Sequence, residues 1–400
     1  MTSYLRQILR QKRRNKEATM GAHHPVVIVG SGYAGLQLAR QYRRLAPAAP
    51  LVIVCADEGA DYAKPQLSHV ISKRQTASDL IRKPAKELAQ ELKALLLTEQ
   101  TVSAIDTERQ VIRLAERELP YRDLVLAVGA EAWIPPVSGD ATGDIITLNS
   151  LQEYQQSQDR LATSQRILLI GAGLIGCELA NDFLQAGKQV TVCDPADRVL
   201  SALLPEFASE RLHSVLRQNG CQFELMNTLV SAEKIAEGIR ATFRDGKSII
   251  VDSIVSAAGL RPRTALAQAA GLTVNRGIVV NDDLTTSDPH IYALGDCAEA
   301  NGQLRPYLQP ITISAQALAK TLAGEPTAIR WPVMPVNVKT PCYPVQAAGD
   351  VRSEDLIWQL DEDDTGLTGL ALRQGQTVGF VTGGQHVSRS MNLIKQLGEN

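Results

Sequence analysis

The residues in this chain best suited to chemistry are glycines. Gly30, Gly32 and Gly35 stand in Val-Val-Ile-Val-Gly-Ser-Gly-Tyr-Ala-Gly, residues 26–35, and Gly171, Gly173 and Gly176 repeat the spacing in Ile-Leu-Leu-Ile-Gly-Ala-Gly-Leu-Ile-Gly, residues 167–176. In such a run the first glycine permits a tight turn, the second lets the backbone approach a pyrophosphate, and the third lets helix and strand pack closely. The chemistry offered is anion binding by the unpaired N–H groups of a helix N-terminus. One copy alone would be an ordinary Gly-rich turn about as often as a nucleotide cradle. Two copies predict two dinucleotide sites, with Ser31, Tyr33 and Ala34 in the first cradle and Leu174 and Ile175 in the second.

Strands and helices must hold those turns. The β-branched run Val26 to Val29 predicts a strand buried on both faces, and Leu36, Leu38 and Ala39 predict a helical apolar face behind it. Leu179 to Leu184 do the same in the second copy. Each copy then runs into another apolar strand closed by an acid, Leu51 to Cys55 before Asp57 and Gln189 to Cys193 before Asp194. These acids fall roughly 20 residues past the turn, where a carboxylate reaches a ribose hydroxyl. A 2′-phosphate beside Asp194 would be repelled, so NADH is preferred to NADPH, with Arg198 four residues on tempering the preference.

Two further strands run into glycine, Leu124 to Val128 before Gly129 and Ile254 to Ala258 before Gly259. Each is either a backbone crossing beneath a bound cofactor or a plain buried strand. Ile291 to Leu294 read as another buried strand. Asp296 behind it sits at the carboxyl end of a parallel sheet, where ligands bind, or caps a helix from Ala298 onward, or both. A charged stretch from Ala77 to Leu97 reads as helical, with strands around Val102 and Val111.

The chain has 400 residues, which predicts two to three domains, and no apolar run approaches the ~20 residues needed to span a bilayer. A formal charge of −2 hides an asymmetry: six of the 41 basic and one of the 43 acidic residues fall in residues 1–19, giving +5 there and −7 elsewhere. A basic arm suits nucleic acid or anionic lipid. Here it reads as a disordered extension over 1–23, or as a misplaced start with Met20 the true one, and no nucleic-acid partner is expected. Six scattered cysteines have neither a Cys-x-x-Cys pair nor metal-ligand spacing, so no metal is expected and a reducing cytoplasm fits.

The two fingerprints, the strand into Gly129-Ala130 and Ile291-Tyr292-Ala293-Leu294-Gly295-Asp296, in this order, resemble the flavoprotein reductases of the glutathione-reductase superfamily, with two dinucleotide-binding domains. Within it the chain looks most like the bacterial NADH:rubredoxin and NADH:flavorubredoxin reductases, the latter acting in nitric oxide detoxification. Tyr62 to Ser72, Gly295-Asp296-Cys297-Ala298-Glu299, Leu308-Gln309-Pro310-Ile311 and Val338-Lys339-Thr340-Pro341 carry that similarity. The resemblance implies an α/β fold of two Rossmann-like domains, for FAD and NAD, plus a small α+β C-terminal cap. The expected division is an FAD domain over 24–130 and 252–325, an NAD domain over 131–251, and a cap over 326–400.

The resemblance also implies roles. Gly30 to Gly35 hold the FAD pyrophosphate, Ala56 or Asp57 and Val102 meet the adenosine end, Gly129 lies beneath the cofactor, Asp296 meets the ribityl chain, and Lys64 and Lys339 approach the flavin. Gly171 to Gly176, Asp194 and Gly259 serve NAD, and Glu178 lies near the nicotinamide. From spacing alone both lysines read as surface charges, and Glu178 as a first-turn carboxylate favoured by the helix dipole.

Relatives that reduce disulfides place a cysteine pair where this chain has Ala63-Lys64-Pro65-Gln66, or after the second fingerprint, where Cys177 stands alone. The implied function is therefore hydride transfer from NADH to FAD, then single electrons to rubredoxin or the rubredoxin module of a flavorubredoxin. It needs no certain catalytic residue, with Lys64 and Glu178 as candidates only. Reduction of a [2Fe-2S] ferredoxin or a small molecule is the alternative, and a non-catalytic flavin-binding sensor or scaffold the alternative of another class. An acidic acceptor predicts a positive patch, for which Lys73, Arg74, Arg82, Lys83 and Lys86 are candidates, although solvated helix faces explain most of them.

Overall fold

The structure, a computed structural model, describes residues 24–398, so the basic arm lies outside the described residues. The described chain divides into two compact units. The first comprises the described residues through Tyr62, Ile81–Glu131 and Arg261–Trp331, and the second Ala63–Leu80, Ala132–Leu260 and the described residues from Pro332.

In the first unit, strand β1 (Val26–Val29) leads into helix α1 (Tyr33–Leu45) and strand β2 (Leu51–Val54). The parallel sheet runs Ile291–Ala293, Asp123–Leu126, β1, β2, Leu95–Leu97, with Ile28 level with both Ile53 and Val125. All three of those side chains are fully buried, each contributing roughly 1.5–3 kcal/mol of apolar burial. The two-sided burial explains why the strands read as continuous aliphatic runs. Helix Leu308–Leu322 packs on α1, where the Tyr33 and Thr312 hydroxyls meet at 3.0 Å.

The second unit repeats the plan. Strand β3 (Arg166–Ile170), helix α2 (Leu174–Gln185) and strand β4 (Gln189–Asp194) form its core, followed by helix α3 (Glu206–Gln218). The parallel sheet runs Ile146–Thr147, Ser253–Ser256, β3, β4, Gln222–Leu225. A separate five-stranded antiparallel sheet lies between Val336 and Gly384, with strand β5 (Ile357–Glu362) on its outer edge, paired with Gly366–Arg373. Ala348, Phe380 and Leu397 form the small core beneath it.

Three expectations are corrected. Ser253–Ser256 pairs with β3, so residues 252–260 belong to the second unit and the first unit resumes at Arg261. The stretch from Ala77 to Leu97 is not one helix. Pro84, held extended at φ −70° and ψ 158°, separates strand Ile81–Lys83 from helix Ala85–Leu92, and strand Leu95–Leu97 follows. Ala298–Ala300 is a strand, not a helix, which removes the cap role for Asp296.

Candidate dinucleotide sites

Each glycine of the first fingerprint is explained by what surrounds it. Gly30 has φ +113°, and a Cβ there would lie 2.2 Å from the Ala127 carbonyl oxygen, so the backbone before Gly129 crosses hard against this turn. At Gly35 a Cβ would lie 2.0 Å from the Gly30 oxygen, which seats the helix on the turn. Gly32 differs: nothing stands within 4 Å of its Cβ position. The chain has kept space there that its own packing does not fill.

The second fingerprint has the same geometry. Gly171 has φ +109° with a Cβ position 2.5 Å from the Ala257 oxygen, Gly176 would meet the Gly171 oxygen at 1.9 Å, and Gly173 is open. The strands into Gly129 and Gly259 are therefore crossings beneath a turn, and the same reading holds for both. Helices α1 and α2 start after Gly32 and Gly173 with no side-chain cap and no acid in the first turn. Uncapped N-termini facing open space suit phosphate anions, and the fit of a dinucleotide to each cradle rests on this.

In the first unit, buried Ser31 donates to Asp57 Oδ1 at 3.4 Å, and the Gly59 amide donates to the same oxygen at 2.9 Å. Ala56 is exposed beside it, while Val102 is buried in the core of the unit. Gly295, at φ +84°, brings its Cβ position to 2.7 Å from Ala34 Cβ, so Asp296 follows directly on the N-terminal turn of α1. In the second unit the Asp194 carboxylate accepts the Ala172 amide at 2.6 Å and the Ala196 amide at 2.8 Å. It thereby braces the glycine turn itself. Arg198 pairs with Asp197 at 3.1 Å.

The other candidates of the second unit meet on one face of α2. Glu178, only 2% exposed, accepts the Ser68 hydroxyl at 2.7 Å and the Lys339 amide at 2.9 Å. The first turn of α2 holds no acid, so the helix dipole does not account for this carboxylate. One turn on, Asp182 accepts the amides of Ile71 at 2.9 Å and Ser72 at 3.2 Å, together with the Ser72 hydroxyl. Asn181 accepts the Cys342 amide at 3.3 Å. This set explains why residues 63–80 belong to the second unit. Ser68, Asn181 and Asp182 escaped the sequence reading, though polar residues at 178, 181 and 182 in an otherwise apolar helix were the available signal. Lys64 opens the short helix Lys64–His69 half-buried, the Lys339 side chain is exposed, and burial pushes the half-buried His69 imidazole down.

All six cysteines are free, and burial pushes their thiols up: Cys193 and Cys221 to about 12, Cys297 to about 11. No helix of the described residues is long and apolar enough to cross a membrane.

Residues 24–317 match the family described as pyridine nucleotide-disulphide oxidoreductase. The chain belongs to that family. Residues 328–397 match the description "Rubredoxin binding C-terminal domain". The nitric oxide reductase FlRd-NAD(+) reductase of Vibrio vulnificus (strain CMCP6) is 44% identical over 376 residues, which cover 94% of this chain and 98% of that one. Its counterpart in Escherichia coli O157:H7 is 43% identical over 373 residues, 93% and 98% of the two chains. Among solved structures, the covalent putidaredoxin reductase-putidaredoxin complex superposes with a TM-score of 0.86 at 25% identity, covering 94% of each chain. The NADH:rubredoxin oxidoreductase of Clostridium acetobutylicum gives 0.78 at 18% identity over 94% and 95%, a likeness of fold alone. In a family whose description includes disulphide chemistry, this chain keeps Ala63-Lys64-Pro65-Gln66 and no cysteine pair.

Proposed function

We propose that this protein is an FAD-dependent NADH:rubredoxin-type oxidoreductase that reduces the rubredoxin module of a flavorubredoxin in nitric oxide detoxification. The observation that carries the reading is the rubredoxin-binding match over 328–397, joined to a chain with two glycine cradles. FAD would be held by Gly30, Ser31, Gly32, Tyr33, Ala34 and Gly35, with Ala56, Asp57, Val102, Gly129 and Asp296 of the same unit. Lys64 and Lys339 are proposed to serve the flavin as cations. NADH would be held by Gly171, Gly173, Leu174, Ile175 and Gly176, with Glu178, Asp194 and Gly259.

The chemistry such groups supply when bound is uptake of a hydride from reduced pyridine nucleotide and release of single electrons to an iron-sulfur acceptor. The chain's own residues bind, orient and neutralise. The helix N-termini meet pyrophosphates, Asp194 disfavours a 2′-phosphate, and Glu178 and Asp182 hold residues 68–72 against α2. No thiol is placed to relay electrons, and the free cysteines fit a cytoplasmic enzyme.

Stopped-flow mixing of the flavin-loaded protein with NADH and the isolated rubredoxin module tests the proposal. Rapid bleaching of the module with a ferredoxin left oxidised is the expected result. Equal or faster ferredoxin reduction would move the assignment to that acceptor, and a colourless protein that takes up no flavin would end it.

A further inference from the structure

We infer that the acidic electron-acceptor protein docks on a cationic face formed by Lys73, Arg74 and Lys339, and not on the outer edge of the C-terminal sheet. The inference rests on the function proposed above. Its basis is the way buried carboxylates on α2 gather two distant segments. Glu178 ties Ser68 to the Lys339 backbone, and Asp182 ties Ile71 and Ser72 one turn further along the same helix. Residues 68–72 and 339 are thus pinned side by side. The amide of Arg74 donates back to the Ile71 carbonyl at 3.1 Å with Arg74 in the left-handed region at φ +52°, which ends the segment in a turn.

The side chains of Lys73, Arg74 and Lys339 are exposed, and none makes an ion pair among the described residues. Lys83 by contrast is paired with Glu91, and Arg373 with Asp350 and Asp355, while Arg82 and Lys86, also exposed and unpaired among the described residues, lie in the first unit. The two buried carboxylates on α2 accept hydroxyl and amide donors and make no ion pair with these cations among the described residues. What is left is a set of unpaired positive charges, one of them inside the segment matched to rubredoxin binding. A protein of opposite charge is the fitting occupant, since complementary charge steers encounter and sets orientation.

The opposite edge of the antiparallel sheet in this segment carries the reverse charge. Edge strand β5 exposes Ile357 and Leu360, which by themselves would invite a partner strand. Asp355, Asp361 and Glu362 on that edge are paired with Arg373, Arg389 and Arg211, but exposed Glu354 and Asp364 make no ion pair among the described residues and repel an acidic protein. Charge therefore favours the Lys339 edge of this sheet over the β5 edge.

The test is the double variant Lys73→Glu/Arg74→Glu, assayed with the isolated rubredoxin module and, separately, with a neutral quinone as acceptor. The expected result is a KM for the module raised on the order of tenfold at low ionic strength, with a flattened salt dependence and unchanged NADH-quinone turnover. The companion variant Glu354→Lys/Asp364→Lys should leave that KM unchanged or lower it. An unaltered KM in the first variant, or a rise in the second alone, overturns the docking face while the proposed function stands. A wild-type protein that turns over quinone but never reduces the module overturns the function. Binding of anionic phospholipid vesicles that is lost in the first variant, with the module's KM intact, would assign the face to a lipid surface instead.

Discussion

The hydroxyl of Ser68 donates a 2.7 Å hydrogen bond to Glu178 across 110 residues of sequence, and both side chains are buried. A buried carboxylate oxygen stripped of its donor costs about 1–3 kcal/mol. Ser68→Ala should therefore lower stability by that amount, and the double variant Ser68→Ala/Glu178→Gln should lose less than the two single losses combined. A double-mutant cycle by denaturant unfolding measures the coupling, and strictly additive losses would refute it.

Gly30 and Gly32 should respond differently to the same change. Gly30→Ala forces a Cβ to within 2.2 Å of the Ala127 oxygen at φ +113°, so the prediction is a poorly folded protein. Gly32→Ala meets nothing within the chain and has φ −68°, so it should fold and melt normally when stripped of cofactor. Its flavin affinity should fall on the order of tenfold or more, because the new methyl occupies the approach reserved for a pyrophosphate. Circular dichroism and flavin titration separate the two outcomes. The same contrast is expected between Gly171→Ala and Gly173→Ala, read out by NADH affinity.

Asp252 holds an acid-sensitive joint in the second unit. Burial pushes its carboxyl up, but the Arg166 guanidinium at 2.6 Å and the amides of Gln165 and Arg166 outweigh that and bring it down to about 2. A lowered folded-state value adds stability that is present above the ordinary carboxylate pKa of about 3.9 and is lost as pH falls towards 2. Asp252→Asn should cost on the order of 1 kcal/mol near neutrality. The gap between the variant and wild type should close between about pH 4 and pH 2, followed by unfolding at stepped pH.

Arg198 is held by Asp197 at 3.1 Å, four residues past the acid expected at the adenosine ribose. Asp197→Ala releases that guanidinium towards a 2′-phosphate. The predicted consequence is a rise of about threefold to tenfold in kcat/KM for NADPH relative to NADH, equivalent to roughly 1 kcal/mol. Arg198→Ala in the same background should reverse it. A ratio that does not move would show that Asp194 alone sets the discrimination.

Thiol chemistry gives a final check. Cys177 is buried with its thiol pushed far up by desolvation, and Cys342 is the most accessible of the six. Cys342→Ser and iodoacetamide treatment should each leave NADH-driven turnover within about twofold of wild type, since thiolates alone react as nucleophiles. Loss of activity on alkylation would reinstate a sulfur relay.

The two nucleotide cradles and their order were legible in the amino-acid sequence, because their demands are local. A turn at positive φ, a helix seated on that turn and a strand buried on both faces each require particular residues within about ten positions, and Val26 to Leu38 and Arg166 to Leu179 supply them. The break at Pro84 is equally local, since a proline held extended ends the helical run that the charged pattern from Ala77 suggests. The role of Asp182, the closeness of Ser68 to Lys339 and the membership of Ser253–Ser256 in the second sheet were decided only in three dimensions. Each joins residues separated by 80 or more positions, and which partner a buried carboxylate or a strand edge takes depends on where the rest of the chain has already packed.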